Sequence, residues 1–303
     1  MRRRPTRFRA ARLELGRRRV FRSPRVPRGS PIFRAILFFF RAVDRMNQLQ
    51  PSDRIVESDW LVPRFRGSGV AGIVPDGFSA YVRILHPARS RSGTPVRWEQ
   101  IAAWSGRTMH RLAEFHRIAD PLPGYGNGVR PWDGHEPRAG DLVQDSLRAL
   151  CATLHQHTTT SDACWFCIWD GYGWAHNSTA SMIFHRTGAP PTTPPSPKEY
   201  LRYELATAPR VSLSSREYLL FEGPLDAAID TDWSPSGRIV PHSPNLFWPQ
   251  DHAWCVASEI DLCTTFVAGS QGLADALVAD PALEAWRVEP TDPVTSDGDR
   301  INM

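Results

Sequence analysis

The clearest structural pattern in this sequence lies in residues 254–288, WCVASEIDLCTTFVAGSQGLADALVADPALEAWRV. Two short apolar runs, at residues 254–260 and 264–268, predict two strands joined as a hairpin. Ser270 then stands at the N-cap of a helical pattern that a proline ends. Residues 283–288 predict one more strand after that proline.

The order of these elements predicts the fold class. A strand at residues 218–222 precedes the hairpin, so the C-terminal third reads strand, hairpin, helix, strand. This order is typical of an α+β protein, with a mostly antiparallel or mixed sheet and helices packed on one face.

Hydrophobic periodicity and β propensity predict four further elements upstream. They are strands at residues 78–86 and 164–169 and helices at residues 98–118 and 141–157. Gly106 is expected to split the first helix into two. Asp141 and Gln144 form the sequence pattern of a capping box at the start of the second.

The charge of the chain is divided unevenly. The chain has 36 basic and 32 acidic residues, and its formal net charge is +4. Residues 1–45 hold 15 arginines and two acidic residues, whereas the remainder holds 21 basic and 30 acidic residues. The net charge is therefore +13 for the first segment and −9 for the rest. An acidic body disfavours phosphates, so we do not expect nucleic acid to be a partner.

This charge division predicts two regions. Residues 1–45 are expected to be a basic, Arg/Pro-rich, disordered tail. Either Met46 is the natural initiator and the tail is upstream sequence, or the tail is a basic arm that contacts phosphates. Residues 46–303 are expected to form one globular α+β domain, with a Pro-rich linker or insertion at residues 187–197.

The sequence indicates neither export nor a membrane span. No segment approaches the roughly 18 consecutive apolar residues that cross a bilayer. The chain has five cysteines, an odd number without the spacing of a disulfide framework, which predicts reduced thiols. We therefore expect a cytoplasmic protein.

Several segments resemble a family of uncharacterised, hypothetical proteins from high-GC bacteria. The resemblance rests on NLFWPQDHAWCVASEID at residues 245–261, on CWF at residues 164–166 and on WDGYG at residues 169–173. It extends to VAGS at residues 267–270 and LEAW at residues 283–286. It covers roughly residues 58–303 and leaves out the arginine-rich tail. The resemblance implies a domain boundary and a shared sheet pattern, and it implies no activity and no catalytic residue.

The grouping most typical of a metal site is Cys164 and Cys167 with His155 and His157 upstream. Thiolate and imidazole are zinc ligands. However, residues three apart in a strand point to opposite faces, so the two cysteines of a strand cannot share an ion. The histidines fit the C-terminus of a helix, where a cation is favoured. We therefore predict no metal and no cofactor.

Four ionisable residues at predicted strand ends or turns are candidates for catalysis. They are Asp170, His252, Glu259 and Asp261. Carboxylates and a histidine that converge in a cleft can transfer protons in hydrolysis. Aspartates also commonly stabilise turns, which is the competing interpretation. A hydrolase is thus the alternative functional hypothesis, and it requires these side chains to meet.

Aromatic residues in loops favour a different function. The chain is rich in tryptophan, with 11, and four loop aromatics are candidates for contact with a ligand or partner. They are Trp132, Tyr172, Trp174 and Trp233. Exposed aromatic rings supply rigid contact area. The leading hypothesis is therefore a non-catalytic binding or interaction domain for a protein or a small ligand.

Overall fold

The computed structural model describes residues 49–124, 131–172, 206–213, 216–229 and 242–303. The predicted tail at residues 1–45, the Pro-rich segment at residues 187–197, Trp174 and Trp233 lie outside these residues. Everything described below belongs to one compact unit, Val43–Met303.

The described residues contain eleven strands and four α-helices. The strands are β1 (Gln50–Pro51), β2 (Ala80–Leu85), β3 (Ala88–Arg89), β4 (Pro95–Val96), β5 (Cys164–Trp169), β6 (Arg210–Leu213), β7 (Arg216–Gly223), β8 (Leu246–Pro249), β9 (Cys255–Ala257), β10 (Thr264–Gly269) and β11 (Ala285–Val288). The helices are α1 (Trp98–Ser105), α2 (Phe115–Ile118), α3 (Gln144–His155) and α4 (Gln271–Ala279). Short 3-10 helices lie at Ile55–Ser58, Val62–Arg64, Val70–Gly72, Leu225–Ala228 and Ser296–Gly298. None of these described helices has the length and apolarity needed to span a bilayer.

Nine of the described strands form one sheet in the order β1-β7-β5-β8-β9-β10-β2-β11, and β6 also pairs with β7. Every described pairing in this sheet is antiparallel. The predicted hairpin is confirmed, since Val267 of β10 lies opposite Val256 of β9. The remaining two strands, β3 and β4, form a separate pair.

The two longer helices cover one face of the sheet. Val82, Phe166 and Val256 point to this face and pack in one buried cluster with Leu150 of α3 and Leu277 of α4. Burial of these apolar side chains is the main stabilising contribution to the fold. The predicted α+β class, with an antiparallel sheet and helices on one face, is therefore confirmed.

The opposite face of the sheet is covered by the irregular segment that precedes β2. Trp165, Trp248 and Phe266 point to this face and pack with Leu61 and Val70 from that segment. Because both faces are buried, the strands lack an apolar-polar alternation. This explains why β5 reads as the uninterrupted apolar run CWFCIW.

Two helix ends agree with the sequence-based prediction, and one does not. The hydroxyl of Ser270 accepts a hydrogen bond from the N–H of Leu273 at the start of α4, as predicted. Gly106 ends α1 in a left-handed conformation with φ 73°, which favours glycine. The predicted capping box of α3 is wrong. Asp141 instead accepts a hydrogen bond from the N–H of Ser243, because a tertiary contact replaces the local cap.

A buried arginine fixes a loop beside the last strands of the sheet. Arg83 of β2 points away from the helix-covered face, and its guanidinium donates to the carbonyl oxygens of Arg111 and Ala113. The same guanidinium forms an ion pair with Glu114 at 2.9 Å. These bonds engage the terminal nitrogens of a cation that is almost fully buried, and they hold residues 110–114 against the face opposite α3 and α4.

Candidate functional site

Glu259 and Asp261, two of the predicted catalytic residues, meet at a cation that starts β7. The guanidinium of Arg216 lies 2.5 Å from Glu259 and 2.7 Å from Asp261. Burial alone would lower the pKa of Arg216, but hydrogen bonds and charge from both carboxylates raise it. The three groups therefore form an ionic cluster, with the positive charge shared between two acids.

Asp170 takes part in a different ion pair. It follows β5, and its carboxylate lies 3.0 Å from the guanidinium of Arg210. Its backbone N–H donates to the carbonyl oxygen of Glu217. Asp170 therefore stabilises the turn after β5 and the neighbouring strands.

His252 lies apart from these carboxylates. It precedes β9, whereas Glu259 follows it, and the three strand residues between them separate the two ends by on the order of 10 Å. The imidazole of His252 stacks on the indole of Trp60, with ring centroids 4.3 Å apart. Burial and the nearby Arg64 lower its pKa, so the ring is neutral at pH 7. The structure thus brings Glu259 and Asp261 together and leaves His252 at the other end of the strand.

The ionic cluster forms one wall of a cleft of about 310 Å³, which we call the Arg216 cleft. Its polar lining includes Arg216, Tyr218, Ser258, Glu259 and Asp261. Its apolar lining comes from strands β6 and β8 and from surrounding loops: Phe65, Ile73, Leu213, Leu246, Leu262 and Val294. Small-molecule sites in proteins commonly combine such apolar walls with a few polar groups.

Tyr218 supplies a polar group of the cleft that has no partner among the described residues. Its side chain is buried, and in the described part of the chain its hydroxyl forms no hydrogen bond. Burial, together with the charge of Glu259, raises its pKa. The hydroxyl therefore stays protonated and is able to donate or accept one hydrogen bond from a ligand.

A chain of buried hydroxyl groups holds Ser258 at the edge of the cleft. The Nδ1 of His86 lies 2.7 Å from the carbonyl oxygen of Arg138, which can only accept, so Nδ1 is the donor. Burial lowers the pKa of His86 to about 4, so its ring is neutral and Nε2 accepts from the hydroxyl of Thr265 at 2.8 Å. Thr265 in turn accepts from the hydroxyl of Ser258 at 2.7 Å. Because Ser258 donates inward, this series of hydrogen bonds is a structural support.

Tyr172, a predicted contact residue, packs against other side chains at the same end of the sheet. Its hydroxyl accepts a hydrogen bond from the side-chain amide of Asn245 at 3.1 Å. The ring stacks on His242, with centroids 4.5 Å apart, and meets Trp169 edge-on. Half-buried in this way, Tyr172 positions Asn245, which lines the cleft.

Trp132, the other described contact candidate, belongs to a separate cluster. It packs edge-on against Trp104 at 5.8 Å, beside the buried core of α1 and α2. The side chain is half-buried, and in the described residues it takes no part in the Arg216 cleft.

The four residues of the metal-like grouping, all of them in the described part of the chain, do not form a site. Cys164 and Cys167 pack in clusters on opposite faces of the sheet, as strand alternation predicts. Burial raises the pKa of Cys164 to about 12 and that of Cys167 further, which disfavours the thiolate that binds zinc. His155 is the last residue of α3, and His157 follows it. Within the described ranges, no three metal-ligating side chains come together.

Sequence reasoning missed Arg216, Tyr218 and the Ser258–Thr265–His86 chain. The one available signal was a charged residue at the start of an otherwise apolar strand, REYLLFEG. That signal does not identify a partner, because β5 and β8 lie between β7 and β9 in the sheet. The guanidinium of Arg216 passes over the ring of Trp169, at 5.7 Å, on the side of the sheet where Glu259 lies.

Comparisons with protein-family models, with curated proteins and with solved structures gave no match to this chain.

Proposed function

We propose that this chain is a non-catalytic binding domain and that the Arg216 cleft is its site for a small ligand. The observation that carries the proposal is the pairing of both cleft carboxylates with one arginine. Arg216 pairs with both Glu259 and Asp261 in the wall of the cleft, and the Tyr218 hydroxyl, which has no partner among the described residues, lies in the same cleft. Preorganised polar groups between apolar walls suit recognition.

The cleft defines the class of ligand. A volume of 310 Å³ corresponds to roughly ten water molecules, which suits a small molecule. The apolar walls favour a largely apolar ligand, and Tyr218 favours one hydroxyl, carbonyl or amide group on it. We expect a neutral rather than an anionic ligand, because Arg216 already shares its charge with two acids.

A hydrolase remains the alternative hypothesis, and the geometry favours it less. A general base has to accept a proton near the working pH. Glu259 and Asp261 are both engaged by Arg216, and His252 stacks on Trp60 at the far end of β9. The buried Ser258 hydroxyl is directed inward to Thr265, which does not suit a nucleophile.

We also propose a reducing compartment, the cytoplasm, for this domain. All five cysteines are free, and four of them are buried. Buried free thiols support a protein that matures where disulfides do not form.

Ligand-detected NMR with a library of small, uncharged fragments tests the proposed site on the full chain. Thr295 is exposed at the rim of the cleft, so Thr295→Trp is expected to block it without disturbing the core. Thr291 is exposed on the same segment outside the cleft, which makes Thr291→Trp the matched control. We expect fragments that bind the wild type and Thr291→Trp but not Thr295→Trp. Equal binding to all three proteins, or no binding fragment, would overturn the proposal.

A further inference from the structure

The last strand of the sheet leaves part of its backbone unpaired. β11 pairs only with β2 in the described sheet. The N–H of Leu85 donates to the carbonyl oxygen of Glu284, which sets the alternation of the ladder. Trp286 and Val288 therefore turn their backbone groups towards β2, and Ala285 and Arg287 turn theirs outward. Among the described residues, nothing accepts from or donates to these outward groups.

A groove of about 840 Å³ runs along this open edge. On one side stands α4, which contributes Val278 and forms an ion pair between its Asp275 and Arg287. On the other side stands the loop that Arg83 holds, which contributes Leu112. The groove therefore has a strand edge as its floor and a wall on each face of the sheet.

The C-terminal residues that line the groove are held by a hydrogen-bond network around Asp299. Burial alone would raise the pKa of Asp299, but hydrogen bonds from Asn302, from the N–H of Glu114 and from His110 hold it well below its usual range. The bond from His110 to Asp299 measures 2.9 Å. This network fixes Arg300 and Ile301, the neighbours of Asp299, at the groove. A fixed wall lowers the entropic cost of binding.

The charge of the groove is positive. Its lining contains three arginines and one histidine and no acidic residue. Arg111 and Arg287 are neutralised by ion pairs with Asp292 and Asp275. Arg300 is exposed and forms no ion pair in the described part of the chain. The groove is thus apolar with one available cation.

We propose that this groove binds an extended segment of a partner protein, which adds to β11 as a further strand. The partner's backbone would exchange hydrogen bonds with the N–H and C=O groups of Ala285 and Arg287, as in other cases of strand addition. Alternate side chains of the partner would contact Val278 and Ile301, which are exposed apolar residues. An acidic residue of the partner would pair with Arg300.

Two other occupants fit the groove less well. A second copy of this chain would bring an edge strand enclosed by the same two walls and a groove of the same charge, so shape and charge both oppose pairing. Residues 1–45 of this chain hold 15 arginines and two acidic residues, and they would be repelled by Arg300. The observed charge therefore selects an acidic partner segment.

A phage-displayed library of short random peptides, selected on the full chain, tests this inference. We expect peptides that alternate apolar residues and carry an acidic residue. Ala285→Pro removes one outward N–H and leaves the ladder with β2 intact. Ala285→Val keeps that N–H and adds similar bulk. The selected peptide is expected to bind Ala285→Pro about tenfold more weakly than Ala285→Val.

Two further measurements keep the test independent of how the proline variant folds. Two versions of the peptide carry backbone N-methyl groups on alternate residues, one at the odd and one at the even positions. Only one of the two versions should bind about tenfold more weakly than the unmodified peptide. Arg300→Glu should weaken binding similarly, whereas Arg66→Glu, at an exposed arginine outside the groove, should not. Failure to select any peptide, equal binding to the two Ala285 variants, or insensitivity to N-methylation would overturn the inference. None of these results bears on the Arg216 cleft, which Thr295→Trp tests separately.

Discussion

The guanidinium of Arg216 lies 2.5 Å from the carboxylate of Glu259, although β5 and β8 separate their strands in the sheet. The contact also reaches Asp261, so one cation pairs with two acids at the rim of a partly apolar cleft. This arrangement places an ion-paired cluster in the wall of the cleft, which is the basis of the function proposed here.

Arg216→Gln is expected to lower the free energy of unfolding by about 2 kcal/mol, because it leaves two neighbouring carboxylates without their cation. Urea unfolding measures this change. Arg148→Gln is the matched control, since Arg148 pairs with Asp145 on an exposed helix surface. Such exposed pairs contribute about 0.5 kcal/mol or less. Equal losses in the two variants would contradict the structural importance of the Arg216 cluster.

His86 is expected to make stability depend on pH. Its folded pKa, about 4, lies below the value of about 6.5 in an unfolded chain, so the unfolded chain binds more protons between these values. The contribution of His86 is fully present above about pH 6.5 and is lost as the pH falls towards 4, by about 3 kcal/mol.

Unfolding curves between pH 4 and 7 measure this dependence. His86→Gln should be less stable at pH 7 and should lose much of the slope between pH 6.5 and 4. His116→Gln, at an exposed histidine, should keep the slope of the wild type. A slope that survives in His86→Gln would show that other groups produce it.

Hydrolysis is not expected. Glu259 and Asp261 are engaged by Arg216, and His252 is out of their reach. Incubation of the full chain with p-nitrophenyl acetate and with p-nitrophenyl phosphate should release nitrophenol at the uncatalysed rate. Release by the wild type that Glu259→Gln abolishes would favour the hydrolase hypothesis over the binding domain.

The fold could be predicted from the sequence where local signals determine it. The hairpin of β9 and β10, the Ser270 cap of α4 and the end of α1 at Gly106 all depend on residues close together in the chain. The predicted cap of α3 failed because Asp141 has a distant partner, Ser243.

The candidate site was less predictable, because its residues are distant from one another in the sequence. Glu259 and Asp261 were identified as candidates, but Arg216 and Tyr218 come to them only through the order of strands in the sheet. The edge strand β11 was predicted, whereas its groove depends on residues 110–112 and 298–301, which are remote in sequence. Tertiary contacts of this kind leave no local pattern.

A crystal structure of the full chain with the strongest-binding fragment would show whether the Arg216 cleft is the ligand site. We expect electron density for the fragment inside the Arg216 cleft, with a polar atom within hydrogen-bonding distance of the Tyr218 hydroxyl. We also expect the ion pairs of Arg216 with Glu259 and Asp261 to persist. A fragment bound elsewhere, with the cleft empty, would contradict the proposed site.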